Sequence, residues 1–225
     1  MTRATNARIA GFTLLFYIAV AFPAMVLFDR AASGAGIAAK LLELAQHATD
    51  VRIAAVLSLL GCFSALVLAV TLYAITREQD PDLAMLALTC RVGEGVTGAV
   101  PIPSTLGLLW LATATGANAP DRAAAQALGA FLLERTPIVG ATFFAVGSTL
   151  FSWLLLRGRM IPVSLAWLGV VASVLLLVGL PLQLAGFLRG PITQFMWLPM
   201  AAFEVPLGLW LLGKGVAPVR STNVP

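Results

Sequence analysis

Charge is scarce in this chain: 11% of its 225 residues are Asp, Glu, Lys or Arg, against 60% that are hydrophobic. A soluble domain carries about 25% charged residues, so this balance excludes one. Lysine is reduced to Lys40 and Lys214, both at the edges of apolar stretches, which excludes a retinal-type Schiff base within a membrane. Histidine is reduced to His47, in a connecting segment, which excludes haem ligation by a histidine pair. The two cysteines, Cys62 and Cys90, are too few for a disulfide framework and lack metal-ligand spacing. They read as small packing residues. There is no Walker motif, Cys/His metal pattern or nucleophile elbow. The net charge of +4 is spread over loops and ends with no basic run, so it reads as topology signal and not as a nucleic-acid patch. No metal and no cofactor is expected.

What remains is apolar, with a mean hydropathy of +0.94. Runs long enough to span a bilayer, about 20 residues each, lie near 9–28, 51–75, 83–113, 137–156, 161–187 and 193–213. They predict an all-α fold: a polytopic membrane bundle of about six transmembrane helices, in one integral membrane domain over 1–225. Arg3 and Arg8 precede the first run as in a signal peptide. That run exceeds the 7–15 residues of an ordinary signal-peptide core, so a retained helix is expected.

The connectors 29–50 and 114–136 each hold a short amphipathic piece, around Ile37–Ala48 and Asp121–Glu134. Leu41, Leu42 and Leu44, then Leu128, Phe131 and Leu132, form their apolar faces. Such helices suit the membrane interface. With six spans both connectors fall on one side, as membrane-lying segments or as a lid.

Orientation follows from Arg and Lys placement. With both termini inside, Arg3, Arg8, Arg77, Arg157, Arg159, Lys214 and Arg220 are cytoplasmic, against Arg30, Lys40, Arg52, Arg122, Arg135 and Arg189 outside. The inner charges crowd short loops, led by Arg157 and Arg159, and this favours cytoplasmic termini.

Gly61, Ala65 and Ala69 in the second run, and Gly95 and Ala99 in the third, allow close helix packing. Pro101 and Pro103 should kink or break the third helix. Pro199 and Pro206 flank Glu204 in the sixth.

Against this apolar background Arg91, Glu94 and Glu204 stand out. A charge at bilayer depth costs roughly 2.5–3.5 kcal/mol on the lenient insertion scales. At about 1.5 Å per residue, Glu94 lies roughly 18 Å deep, Arg91 roughly 13 Å and Glu204 roughly 15 Å. All three therefore share one layer near the midplane of a core about 30 Å thick. Arg91 and Glu94, three residues apart, share a helix face. Tyr17, Ser64 and Ser148 reach the same layer by the same count. A mid-helix serine more often bonds its own backbone.

One Arg and two Glu leave a negative charge in excess. Either one carboxyl keeps its proton or a cation joins the site. A protonated acid in an apolar cavity suits general-acid chemistry or proton-coupled transport. The alternative is a staple, in which the cluster only holds helices together.

The segments Ala7–Gly11, Arg91–Glu94, Arg157–Pro162, Leu168–Val170 and Phe203–Gly215 resemble bacterial integral membrane proteins of domain-of-unknown-function family 4386. The resemblance covers nearly the whole chain. It implies six helices and a pattern that includes Arg91, Glu94 and Glu204, and it brings no general activity. The expected location is the bacterial cytoplasmic membrane.

The leading expectation is a midplane pocket for a lipophilic small molecule, with Glu94, Glu204 and Arg91 as catalytic residues. Tyr17, Ser64, Ser148, Trp197, Phe203 and Trp110 are the candidate substrate contacts. By analogy with membrane cyclases that protonate prenyl chains, the substrate would be isoprenoid and the aromatic faces would steady a carbocation. A proton-coupled small-molecule transporter is the rival, although no internal repeat is visible. A non-catalytic membrane subunit is the third reading.

Overall fold

A computed structural model describes residues 1–117, 119–134 and 138–217. Arg135 and Arg220, both counted above for orientation, lie outside these residues. The described chain is helical, in the order α1 (Arg3–Ala31), α2 (Ile37–Gln46), α3 (Ala48–Thr76), α4 (Pro81–Ala99), α5 (Pro101–Thr113), α6 (Arg122–Leu133), α7 (Ile138–Arg157), α8 (Val163–Leu184), α9 (Ile192–Phe195) and α10 (Leu198–Gly213). Six stretches are long and apolar enough to cross a membrane.

The third apolar run is two helices. Val100 interrupts it, and α5 begins with Pro101 at its first turn. Proline there needs no donor of its own, while Pro101 and Pro103 further into one helix would each leave a carbonyl unpaired. The sixth run also divides, into the single turn α9 and the helix α10. The amphipathic pieces form as α2 and α6. Asp121 caps α6, its carboxylate accepting from the Ala124 N–H at 2.8 Å.

Contacts group the chain into two compact units. The first comprises Met1–Phe16, Ser64–Gly95 and the chain from Ile138 onward. In it α7 packs along α8 and α8 against α10. Its core includes Leu14, Leu68, Phe144, Leu154, Leu176 and Leu211. The start of α1 meets α10 backbone to backbone. A Cβ on Gly11 would collide with the Leu212 nitrogen and stand 2.6 Å from the Gly208 carbonyl oxygen. Small residues permit such approaches where helices pack in lipid.

The end of α7 is a Schellman turn with an unusual residue in it. The Met160 N–H donates to the Leu155 carbonyl and the Arg159 N–H to the Leu156 carbonyl, both at 3.0 Å. Arg159 takes the left-handed position with φ 46°, where glycine is usual. Met160 is buried beneath it.

The second unit comprises Tyr17–Phe63 and Val96–Pro137. Within it α2 and α6 each pack on α5 and on one another. Leu41, Leu44, Val51, Leu108, Leu109 and Leu111 form its core. In both units large apolar side chains such as Phe12, Phe22, Phe63, Trp153, Trp167 and Val178 are exposed. That is the surface a hydrocarbon solvent requires.

Candidate functional site

The site lies in the first unit and starts from α4. Arg91 and Glu94 stand three residues apart, and Arg91 Nη1 lies 2.8 Å from Glu94 Oε2. Both residues are buried. The stem of Arg91 passes over Gly147 of α7, where a Cβ would stand 2.8 Å from Arg91 Cγ and 2.9 Å from Cδ. The head then meets two α7 side chains. Nη1 donates to Ser148 Oγ at 3.4 Å, a long contact. The guanidinium carbon sits 4.8 Å from the centre of the Phe144 ring, within cation–π range. Phe144 in turn packs against Trp197, ring centres 5.9 Å apart.

Glu204 enters from α10. It lines one cavity together with Arg91, Ser148, Ser152, Phe151 and Phe203. It interacts electrostatically with both Arg91 and Glu94. Among the described residues it makes no hydrogen bond and no ion pair of its own. Arg91 Nε is likewise buried with no hydrogen-bond partner among them. Pro206, two residues on, lies inside α10. Lacking an N–H, it leaves the carbonyl four residues earlier, that of Ala202, without its helical bond. Phe203 seats on Gly169 of α8, where a Cβ would stand 2.5 Å from its ring.

The cavity measures about 20 Å³. That admits one water, for which roughly 10–15 Å³ suffices. It falls far below the roughly 300–1,000 Å³ of small-molecule pockets. A single guanidinium, one carboxylate and two hydroxyls thus face room for a water, with apolar walls beyond.

The sequence-predicted residues divide. Arg91, Glu204, Ser148 and Phe203 line one cavity, Glu94 joins them through its ion pair with Arg91, and Trp197 is one ring away through Phe144. Ser64 is buried on α3, one turn before the cavity-lining Leu68. Tyr17 and Trp110 belong to the second unit. There Tyr17 packs beside Gly61, and Trp110 is exposed on α5.

Sequence reasoning missed Phe144, Gly147, Phe151 and Ser152. The signal was present: Phe144, Ser148, Phe151, Ser152 and Leu155 follow helical spacing along one face of α7. Among the polar groups of that face only Ser148 was singled out, because depth was counted without following the stripe. The expectation that a buried helical serine bonds its own backbone holds for Ser173, which donates to the Gly169 carbonyl at 2.6 Å. Ser148 instead accepts from Arg91.

Six membrane-length helices and a buried ion pair in one of them define a polytopic α-helical membrane protein. The chain belongs to the family described as Domain of unknown function (DUF4386), which matches residues 9–215. No curated protein and no solved structure matches it.

Proposed function

We propose that this is a proton-linked membrane carrier of a small molecule, in which Glu204 takes and gives the proton. The observation that supports it most is Glu204 itself. It is a carboxyl in a stretch of membrane length, without hydrogen bond or ion pair among the described residues, facing a water-sized cavity that also holds Arg91. Arg91 and Glu94 already neutralise one another, so the third charge is the one that must exchange something with its surroundings. Intramembrane carboxylates facing water are the usual elements of proton relays. A pure staple would pair all three.

The protein then sits in a bacterial cytoplasmic membrane with both termini inside. The support is Arg77, Arg157 and Arg159 in short connections, with the even number of spans.

The test is proteoliposomes carrying an internal pH dye, together with infrared spectra across pH. Wild type should show proton uptake and a carboxyl C=O band that Glu204→Gln removes. Proton uptake by Glu204→Gln equal to wild type sinks the reading.

A second reading, acid catalysis on an isoprenoid-type substrate, has one observation in its favour. Phe151 and Phe203 wall the same cavity as Glu204, and aromatic faces suit carbocations. It requires the cavity to open more than tenfold to reach ordinary ligand volumes. Turnover of a prenyl substrate, lost in both Glu94→Gln and Glu204→Gln, would establish it over carriage. If those variants change stability alone, the cluster is a staple.

A further inference from the structure

The second unit carries an open groove of about 340 Å³, apart from the charged cluster. Ala38, Leu41 and Ala45 of α2, Leu111 of α5, and Arg122 and Ala125 of α6 line it. Arg122 is its one charged wall residue, and Gln126, a turn on, is its one neutral polar one. The rest is alanine and leucine. The alanines give width and the leucines an apolar wall. The volume falls in the range of roughly 300–1,000 Å³ that small-molecule sites occupy.

Among the described residues Arg122 makes neither ion pair nor hydrogen bond. Its neighbour Asp121 is engaged in capping α6. An exposed guanidinium in the wall of an otherwise apolar trough is complementary to an amphiphile with an anionic head. The helices on either side carry exposed Leu42, Leu128 and Phe131. Apolar faces on short amphipathic helices hold them in the headgroup layer, so the amphiphile comes from the bilayer.

We infer that this groove binds one anionic phospholipid, with an acyl chain between α2 and α6 and its phosphate on Arg122. Guanidinium and phosphate pair through two parallel hydrogen bonds, which a zwitterionic headgroup at the same place would blunt with its own cation. The inference stands independently of what the Glu204 site does.

The experiment is native mass spectrometry of the full chain in detergent. It is titrated with phosphatidylglycerol, with phosphatidylcholine of the same chains, and with palmitate. The expected result is one retained phosphatidylglycerol, at least fivefold in preference to phosphatidylcholine. Arg122→Gln should bring phosphatidylglycerol down to the phosphatidylcholine level. Ala125→Leu should lower both by filling the groove. Arg52→Gln, at an exposed arginine of the same unit outside the groove, should leave retention unchanged. Wild-type retention by Arg122→Gln overturns the inference. So does equal retention of the two phospholipids, or palmitate held in preference to phosphatidylglycerol. Arg122 is exposed, so its variant folds and the comparison holds even if Ala125→Leu does not.

Discussion

The aliphatic stem of Arg91 lies so close on Gly147 that a single added carbon there would stand 2.8 Å from its Cγ. The glycine of α7 therefore sets where the α4 guanidinium reaches Phe144 and Ser148. Gly147→Ala should displace Arg91 and cost about 1–3 kcal/mol, the usual range for overpacking. Thermal melts in detergent measure it, with Gly213→Ala as control, because a Cβ there meets nothing within 4 Å. A melting temperature equal to that of the control would mean that the stem simply moves aside.

The Gly11 contact should be costlier still. Its obstacles are the Leu212 nitrogen and the Gly208 carbonyl, backbone atoms that cannot rotate away as an arginine stem can. Gly11→Ala is expected to lower the melting temperature more than Gly147→Ala does, with Gly213→Ala near wild type. The reverse order would refute the close approach of α1 and α10.

Breaking the ion pair from one side leaves a buried charge uncompensated, at a cost of about 3–5 kcal/mol. Arg91→Met and Glu94→Gln should each be strongly destabilising, and the double variant much less than their combined effect. A double-mutant cycle on unfolding free energies reads the coupling directly. Additive losses would show that the two side chains do not act as a pair.

Arg159 adopts φ 46° at the end of α7. The left-handed position costs a residue with a Cβ about 1–2 kcal/mol. Glycine there loses about 0.5–1 kcal/mol to its greater freedom when unfolded. Arg159→Gly should therefore raise stability slightly, and its melting curve should lie at or above that of wild type. A clear fall would mean that the guanidinium makes a contact worth more than the strain.

Much of this architecture was legible because lipid imposes a simple rule. Apolar runs of spanning length became helices within a few residues of where they were expected, and the prolines at 101 and 103 broke the third run as their chemistry requires. Counting rise along helices placed Arg91, Glu94, Ser148 and Glu204 at one depth, and they do meet. Depth is a single coordinate. It says nothing about which way a residue faces, so it groups Tyr17 with residues of the other unit, and aromatic character alone does the same for Trp110. Phe144 escaped notice because a phenylalanine in an apolar helix carries no signal until a cation lies over it. The small volume of the cavity was also beyond reach, since it depends on how Leu68, Leu155 and Leu207 close in.

The pairing of Arg91 with Glu94 has a consequence for biogenesis. Both partners ride on one helix, three residues apart, so their contact needs no other segment in order to form. As α4 winds at the translocon, its two charges already cancel, and the segment partitions into lipid as a near-neutral rod instead of a doubly charged one. Glu204 arrives more than a hundred residues later in synthesis. By then the Arg91–Glu94 pair has already formed, so Glu204 joins a neutral pair at the cavity it shares with Arg91.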